Sequence, residues 1–149
     1  MSDTDLIDLY SGRILELAAD IPHSARLDAP QATARKRAPL CGSTVTIDLD
    51  VTDGRISRYG QDIKACALGQ AAASVIGRAI IGRDAAEMGR GRDQLRAMLT
   101  DGGPAPSAPF EELKVLLPAR GYKNRHASIM LTFDAISEAL GSLGARAAE

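Results

Sequence analysis

Both cysteines of this 149-residue chain fall in one stretch, APLCGSTVTIDLDVTDGRISRYGQDIKACALGQ, residues 38–70. A deprotonated thiol is a nucleophile and a soft metal ligand, so two thiols at one place could share an ion or carry sulfur. Cys41 opens a run of alternating hydrophobicity, and Cys66 opens a run with helical spacing. The 25 residues that separate them (66 − 41) enclose a hairpin pattern, which can return both to one end of a sheet. Gly42 lets the backbone turn tightly after Cys41 and leaves room over its sulfur. Cys66 precedes a helix, whose free N–H groups and positive dipole end stabilise an anion. Lys64, two residues upstream, adds to that effect if it lies nearby. The other reading is packing alone, because free cysteine is among the most buried residue types. Residue types and spacing leave both readings open.

The elements that must hold these thiols are legible in outline. Leu6, Leu9, Tyr10, Ile14, Leu17 and Ile21 recur at helical steps over residues 4–20, and Pro22 ends that helix. A short strand is expected over 32–38. Val45, Ile47, Leu49 and Val51 then share one face of a strand, with Thr44, Thr46, Asp48 and Asp50 on a solvated face. Asp53-Gly54 predicts a tight hairpin, and residues 55–64 return as the partner strand with Gly60 a candidate bulge. Residues 67–81, ALGQAAASVIGRAII, are apolar nearly all round and predict a buried central helix closed by Gly82. Asp84 opens a helix to about Thr100. A Gly/Pro loop follows over 101–109, where Ser107 and Pro109 prepare a short helix at Phe110. The last helix is expected from Arg125, with Ile129, Thr132, Phe133, Ile136, Leu140 and Leu143 on its stripe. The fold class is α+β: a three-stranded antiparallel sheet with helices packed on one face, in one domain spanning 1–149.

Composition narrows the function classes. A formal net charge of −1 and an aromatic content of 3% leave neither a basic footprint nor stacking platforms, so nucleic acid is not an expected partner. Arg35-Lys36-Arg37 is a local basic spot, readable as charges that protect an edge strand. No apolar run reaches the ~20 residues of a membrane span, and the acidic start MSDTDLIDLY is unlike a signal peptide. A cytoplasmic location is therefore expected, where cysteines serve as thiols or ligands rather than disulfides. No phosphate-binding Gly-Lys-Ser/Thr loop or paired acid–base constellation points to a nucleotide enzyme or hydrolase.

Four segments together carry a resemblance: a helix with Leu9-Tyr10, KRAPLCGSTV, IKACALGQAAAS and RHASIMLTFDAI. This pattern resembles the U-type iron–sulfur scaffold family, which comprises IscU, SufU and the N-terminal domain of NifU. It is most similar to the SufU branch, whose extra residues between the second and third cysteines match LRAMLTDGGPAPSAPFEEL here. The resemblance implies a three-stranded sheet carrying a bundle of helices. It also implies a site of three cysteines and an aspartate, with a histidine beside the third cysteine in the IscU branch. Such a site holds zinc or assembles a transient iron–sulfur cluster, with a cysteine desulfurase as sulfur donor and iron–sulfur proteins as recipients.

Laid on this chain, the first two cysteines are Cys41 and Cys66, the aspartate position is Ser43, and the third cysteine position is Ser128. His126 falls two positions early. Cys41, Cys66 and His126 are then the expected ligands of iron, a cluster or zinc. Cys66 is the expected sulfur acceptor, and Gly42, Ser43, Lys64, Arg125 and Ser128 form the rim. Two of the four family ligands are serines, whose hydroxyls bind zinc or iron poorly beside thiolate, imidazole or carboxylate. Ser128 could alternatively cap the last helix, and His126 could bond to backbone at a helix terminus. YKNR, residues 122–125, stands where IscU-type scaffolds offer a proline-rich segment to a dedicated chaperone. Arg125 and Lys123 there could steer an anionic persulfide or stand as solvated charges.

The function implied is an assembly protein, not itself an enzyme unless Cys66 passes sulfur on. The alternatives are a sulfur-transfer accessory that builds no cluster, and an interaction module that retains the fold alone. Brief treatment with limiting iodoacetamide should label Cys66 before Cys41, because only Cys66 has a helix N-terminus behind it. Peptide mapping reads the outcome, and predominant label on Cys41 would overturn that ordering.

Overall fold

The computed structural model describes residues 10–40 and 42–148; Leu6, Leu9 and Cys41 lie outside the described residues. The described part of the first helix, α1, is Gly12–Ala19. The Ser11 hydroxyl accepts a hydrogen bond from the Ile14 N–H at its start, and Ile14 and Leu17 are its buried face. Three strands follow, β1 (Ala32–Arg37), β2 (Thr44–Thr52) and β3 (Arg55–Lys64), paired antiparallel in the order β1-β2-β3. Asp53 and Gly54 both have positive φ, as a two-residue hairpin turn of this hand requires.

Strand alternation puts Ala34, Val45, Ile47 and Leu49 into the core. The helices close over them. They are α2 (Ala67–Ala79), α3 (Ala85–Thr100) and α4 (Lys123–Ala148). α2 is buried along most of its length, from Leu68 to Gly77. α4 packs on β1, β2, α2 and α3. α3 starts at a reciprocal cap, in which Asp84 accepts from the Glu87 N–H and Glu87 accepts from the Asp84 N–H. Residues Glu111–Gly121, expected as a short helix from Phe110, form a 3-10 segment, and the last helix starts two residues before the expected Arg125. Phe110 meets Phe133 edge to face at 5.3 Å, which locks that segment to α4. Among the described residues no helix is long and apolar enough to cross a membrane.

Two expectations for the sheet need correction. Its second face is not solvated throughout, because the segment around residues 22–31 crosses it. Asp48, expected in solvent, is fully buried there. Its carboxylate accepts from Arg26 Nε at 2.6 Å and Nη2 at 3.1 Å, from the Leu27 N–H at 3.0 Å and from Thr33 Oγ1 at 2.5 Å. Gly60 is not a bulge; it pairs regularly with Asp48, and the register shift lies at Asp50/Val51. Glycine stands at 60 because a Cβ there would come within 2.3 Å of the Ala25 carbonyl oxygen of the crossing segment. The same segment covers the edge of β3, where the Gln61 N–H donates to the His23 carbonyl at 2.9 Å.

Burial pushes the Asp48 carboxyl up, but the bonds from Arg26, Thr33 and the Leu27 N–H outweigh it and hold the group below the ordinary aspartate range. A carboxyl whose folded-state value lies below the unfolded one, about 3.9, stabilises the fold above that pH. The contribution is lost as pH falls through the folded value. Asp48→Asn should therefore cost about 1.5–3 kcal/mol near neutral pH, the scale of hydrogen bonds to a charged group. Its urea midpoint should also decline less than the parent's below about pH 4. Parallel pH profiles for the two proteins would overturn the assignment.

Candidate functional site

The ladder register decides what meets at one end of the sheet. Thr44, which opens β2, lies directly between Arg37, which ends β1, and Lys64, which ends β3. Ala38, which follows β1, and Ser43, which precedes β2, therefore stand at the same end of the sheet as Ala65 and Cys66, which follow β3. The 38–43 loop is closed by two backbone bonds, Ala38 N–H to the Ser43 carbonyl at 2.8 Å and Gly42 N–H to the Ala38 carbonyl at 2.9 Å. Gly42 has φ +73°, a conformation that glycine adopts without strain. Leu40, within the loop, is 86% exposed.

Across this end, Cys66 is the residue at which extended chain becomes helix α2, with φ −67° and ψ 169°. Its half-buried thiol makes no capping bond to the helix. The sulfur lies 3.6 Å from Ser128 Oγ, and Ser128 Oγ lies 3.0 Å from Ser43 Oγ. Both hydroxyls are nearly sealed from solvent, with 5% of Ser43 and 2% of Ser128 exposed. Three residues from β2's entrance, α2's start and the second turn of α4 thus form one continuous polar contact in an apolar surround. Ser128 is not the cap of the last helix, because α4 begins five residues earlier at Lys123.

Gly69 makes this contact possible and was not singled out from the sequence, where it reads as one more small residue of an alanine-rich helix. A Cβ at 69 would stand 2.7 Å from Ser128 Oγ, 2.9 Å from Ala65 Cβ and 3.1 Å from the Ser128 carbonyl oxygen. Glycine inside a helix costs about 1 kcal/mol against alanine. A glycine in the first turn of an otherwise alanine-rich helix is the signal that could have marked it.

The remaining expected residues are placed differently. His126 is not brought to the Ser43–Cys66–Ser128 group. Its Nε2 lies 2.9 Å from the Ala119 carbonyl oxygen and 3.1 Å from that of Arg120. Carbonyls only accept, so Nε2 is the protonated donor. Two residues along an α-helix is a rotation of about 200°, so a ring at 126 points away from a hydroxyl at 128. With Leu99, Thr100, Arg120 and Lys123 it lines a separate groove of about 370 Å³. Lys64 is exposed at the end of β3, and Arg125 is half-buried in the first turn of α4. Among the described residues no three His, Cys, Asp or Glu side chains come together. With Cys66 the described donors are two neutral hydroxyls, a set that by itself does not suit zinc.

No protein-family model and no curated protein matches the sequence. Solved structures do. The N-terminal part of a nitrogen-fixing NifU-like protein from Brucella abortus is 43% identical, covers 91% of this chain and 94% of its own, and superposes with a TM-score of 0.89. A SUF-system iron–sulfur cluster assembly scaffold protein from Fervidobacterium islandicum AW-1 is 18% identical, covers 90% and 98%, and superposes at 0.82, a likeness of fold alone.

The packing at Gly69 gives a direct test. Gly69→Ala should force α4 away from α2 and destabilise the protein by about 1–3 kcal/mol, the usual cost of overpacking. The same change should separate Ser128 from Cys66 and alter the rate of thiol alkylation. Gly141→Ala, where a Cβ meets nothing within 4 Å, should do neither. Equal stability of the two variants would overturn the close-packing account.

Proposed function

The chain belongs to the NifU-like family of U-type iron–sulfur scaffolds, and from that membership we propose that it is an assembly protein that handles iron and sulfur at the Cys66 end of its sheet. The observation that carries this reading is the convergence of Ser43, Cys66 and Ser128. These are three of the positions at which the family pattern puts its ligands. Cys41, the fourth, lies outside the described residues and is proposed as the second thiol. Iron and sulfur are cargo here: persulfide sulfur comes from a cysteine desulfurase and is brought to sulfide by an external thiol reductant, iron comes from an iron source, and both pass to recipient iron–sulfur proteins, in the cytoplasm. His126 is not proposed as a ligand, since its Nε2 is held by two carbonyls.

A second reading, sulfur transfer without cluster building, is favoured by the hydroxyl pair. Ser43 and Ser128 are neutral and bonded to one another, so they contribute neither the charge nor the softness that iron takes from thiolate and carboxylate. They are suited instead to a sulfur anion. In that step the Cys66 thiolate attacks the terminal sulfur of the desulfurase persulfide. The new S–S bond forms on Cys66 as the donor's S–S bond breaks, and the donor cysteine leaves as a thiolate. The Ser128 hydroxyl stands within reach to donate to the Cys66 sulfur.

Anaerobic incubation with a cysteine desulfurase, cysteine and ferrous iron separates the readings. Iron and acid-labile sulfide retained together, and lost in Cys66→Ser, would support cluster assembly. Persulfide on Cys66 without iron would support transfer, and neither product would sink both. Ser43→Asp combined with Ser128→Cys should raise metal retention by at least about tenfold, the scale expected for restored ligand-sphere contacts. No gain would mean that these positions do not correspond to the family ligands.

A further inference from the structure

The triplet Arg35-Lys36-Arg37 is divided by the pleat of β1. Lys36 points to the helix side, where its ammonium lies 3.3 Å from Glu138. Arg35 and Arg37 point to the other face. Directly opposed residues of an antiparallel ladder share a face. Arg37, Thr44 and Lys64 therefore form one row, and Arg35, Thr46 and Asp62 form the next. Arg35, Arg37 and Lys64 are exposed, and among the described residues none of them pairs with a carboxylate. The exposed Asp62 shares this face, two residues from Lys64 along β3 and two strands, about 9.6 Å, from Arg35, so the face carries three cations against one carboxylate.

The same face is covered farther along. There the segment around 22–31 crosses it, and Arg26 is committed to Asp48. The open half is thus a patch of three uncommitted cations on a chain whose net charge is −1. It ends at the row from which the 38–43 loop and Cys66 depart. Leu40 stands exposed on that loop, an apolar side chain at the patch's border.

We propose that this open half-face, built by Arg35, Arg37 and Lys64 and bordered by Leu40, docks an acidic segment of the protein that exchanges sulfur or iron at Cys66. The nature of the occupant rests on the function proposed above, and the charge of the segment rests on the patch itself. Edge-strand protection, the simpler use of such charges, would explain Arg35 or Arg37 singly. It would account for Lys64 on the opposite edge strand as well, but it does not require that all three cations stand on one face at the site end, with Arg37 and Lys64 in one row. A partner landing on this face is steered by the cations from beyond contact distance and brings its reactive atom over the loop that leads to the thiol.

The test uses the whole protein and neither metal nor desulfurase, so its failure is distinguishable from failure of the assembly reading. Two short peptides, one of glutamates and one of serines, each carry a cysteine as its mixed disulfide with thionitrobenzoate. Release of thionitrobenzoate reports attack by a protein thiol, and mapping identifies the cysteine labelled. At low salt the acidic peptide should label Cys66 about tenfold faster than the neutral one, the lower end of electrostatic steering. The ratio should collapse towards one at high salt and in Arg37→Glu, but persist in Arg90→Glu, which makes the same charge change on α3. Equal ratios in the two variants, or no preference in the parent, would overturn the proposal. So would displacement of the acidic peptide by a weaker concentration of single-stranded DNA of equal charge, which would assign the face to nucleic acid.

Discussion

Helix α4 can lie where it does only because residue 69 has no side chain. At that crossing the Ser128 side chain and backbone come within about a methyl group's reach of α2, in space that a Cβ would occupy. The consequences spread in both directions along α4. Toward its start, the crossing holds Ser128 against Cys66 and Ser43, joining positions 85 and 62 residues apart in the chain. Beyond it, Ile129, Phe133 and Ile136 close over the sheet and over α3. A helix that approaches closely at one point is fixed in angle and depth along its length, so the core and the site share one geometric constraint.

The sheet depends on a second constraint, which acts on its other face. A three-stranded sheet with one side covered by helices would leave the second side wet, and the alternation of β2 reads that way. Asp48 instead anchors a covering segment through Arg26, Thr33 and the Leu27 N–H, and Gly60 leaves the space for it to pass. A buried carboxylate is tolerated only with this many donors. The segment covers just part of the face. What remains open lies toward the site end, where the cations of β1 and β3 stand in register.

Charge separates this site from the pattern it resembles. The family arrangement gathers anionic ligands, which bind metal ions strongly and repel each other when empty. At the positions the resemblance assigns to two of those ligands stand Ser43 and Ser128, whose uncharged hydroxyls lie 3.0 Å apart within hydrogen-bond reach. Two hydroxyls that bond one another stay dry at little cost, in accord with their near-complete burial. The polar contact therefore also serves as packing, sealing the junction of β2, α2 and α4 beneath a half-exposed sulfur.

The sequence by itself determined the α+β class, the three antiparallel strands, the Asp53-Gly54 hairpin, the buried α2 and the resemblance that named Cys66, Ser43 and Ser128. These are local signals: alternation, helical periodicity, turn chemistry and short runs of residues. It misread Asp48 as solvated and Gly60 as a bulge, and it left His126 open between the site and a backbone bond, of which the structure shows the second. Each error concerns which partner a residue meets across the chain. Alternation gives the face of Asp48 but not what covers that face, and glycine in a strand marks close approach as readily as a bulge. For His126, the resemblance implies a histidine beside the third-cysteine position, whereas two steps along a helix turn a side chain to the far side. Gly69 escaped notice because its role exists only where α4 touches it. Long-range packing decided these points, since the partners of a side chain are set by elements that no short window of sequence contains.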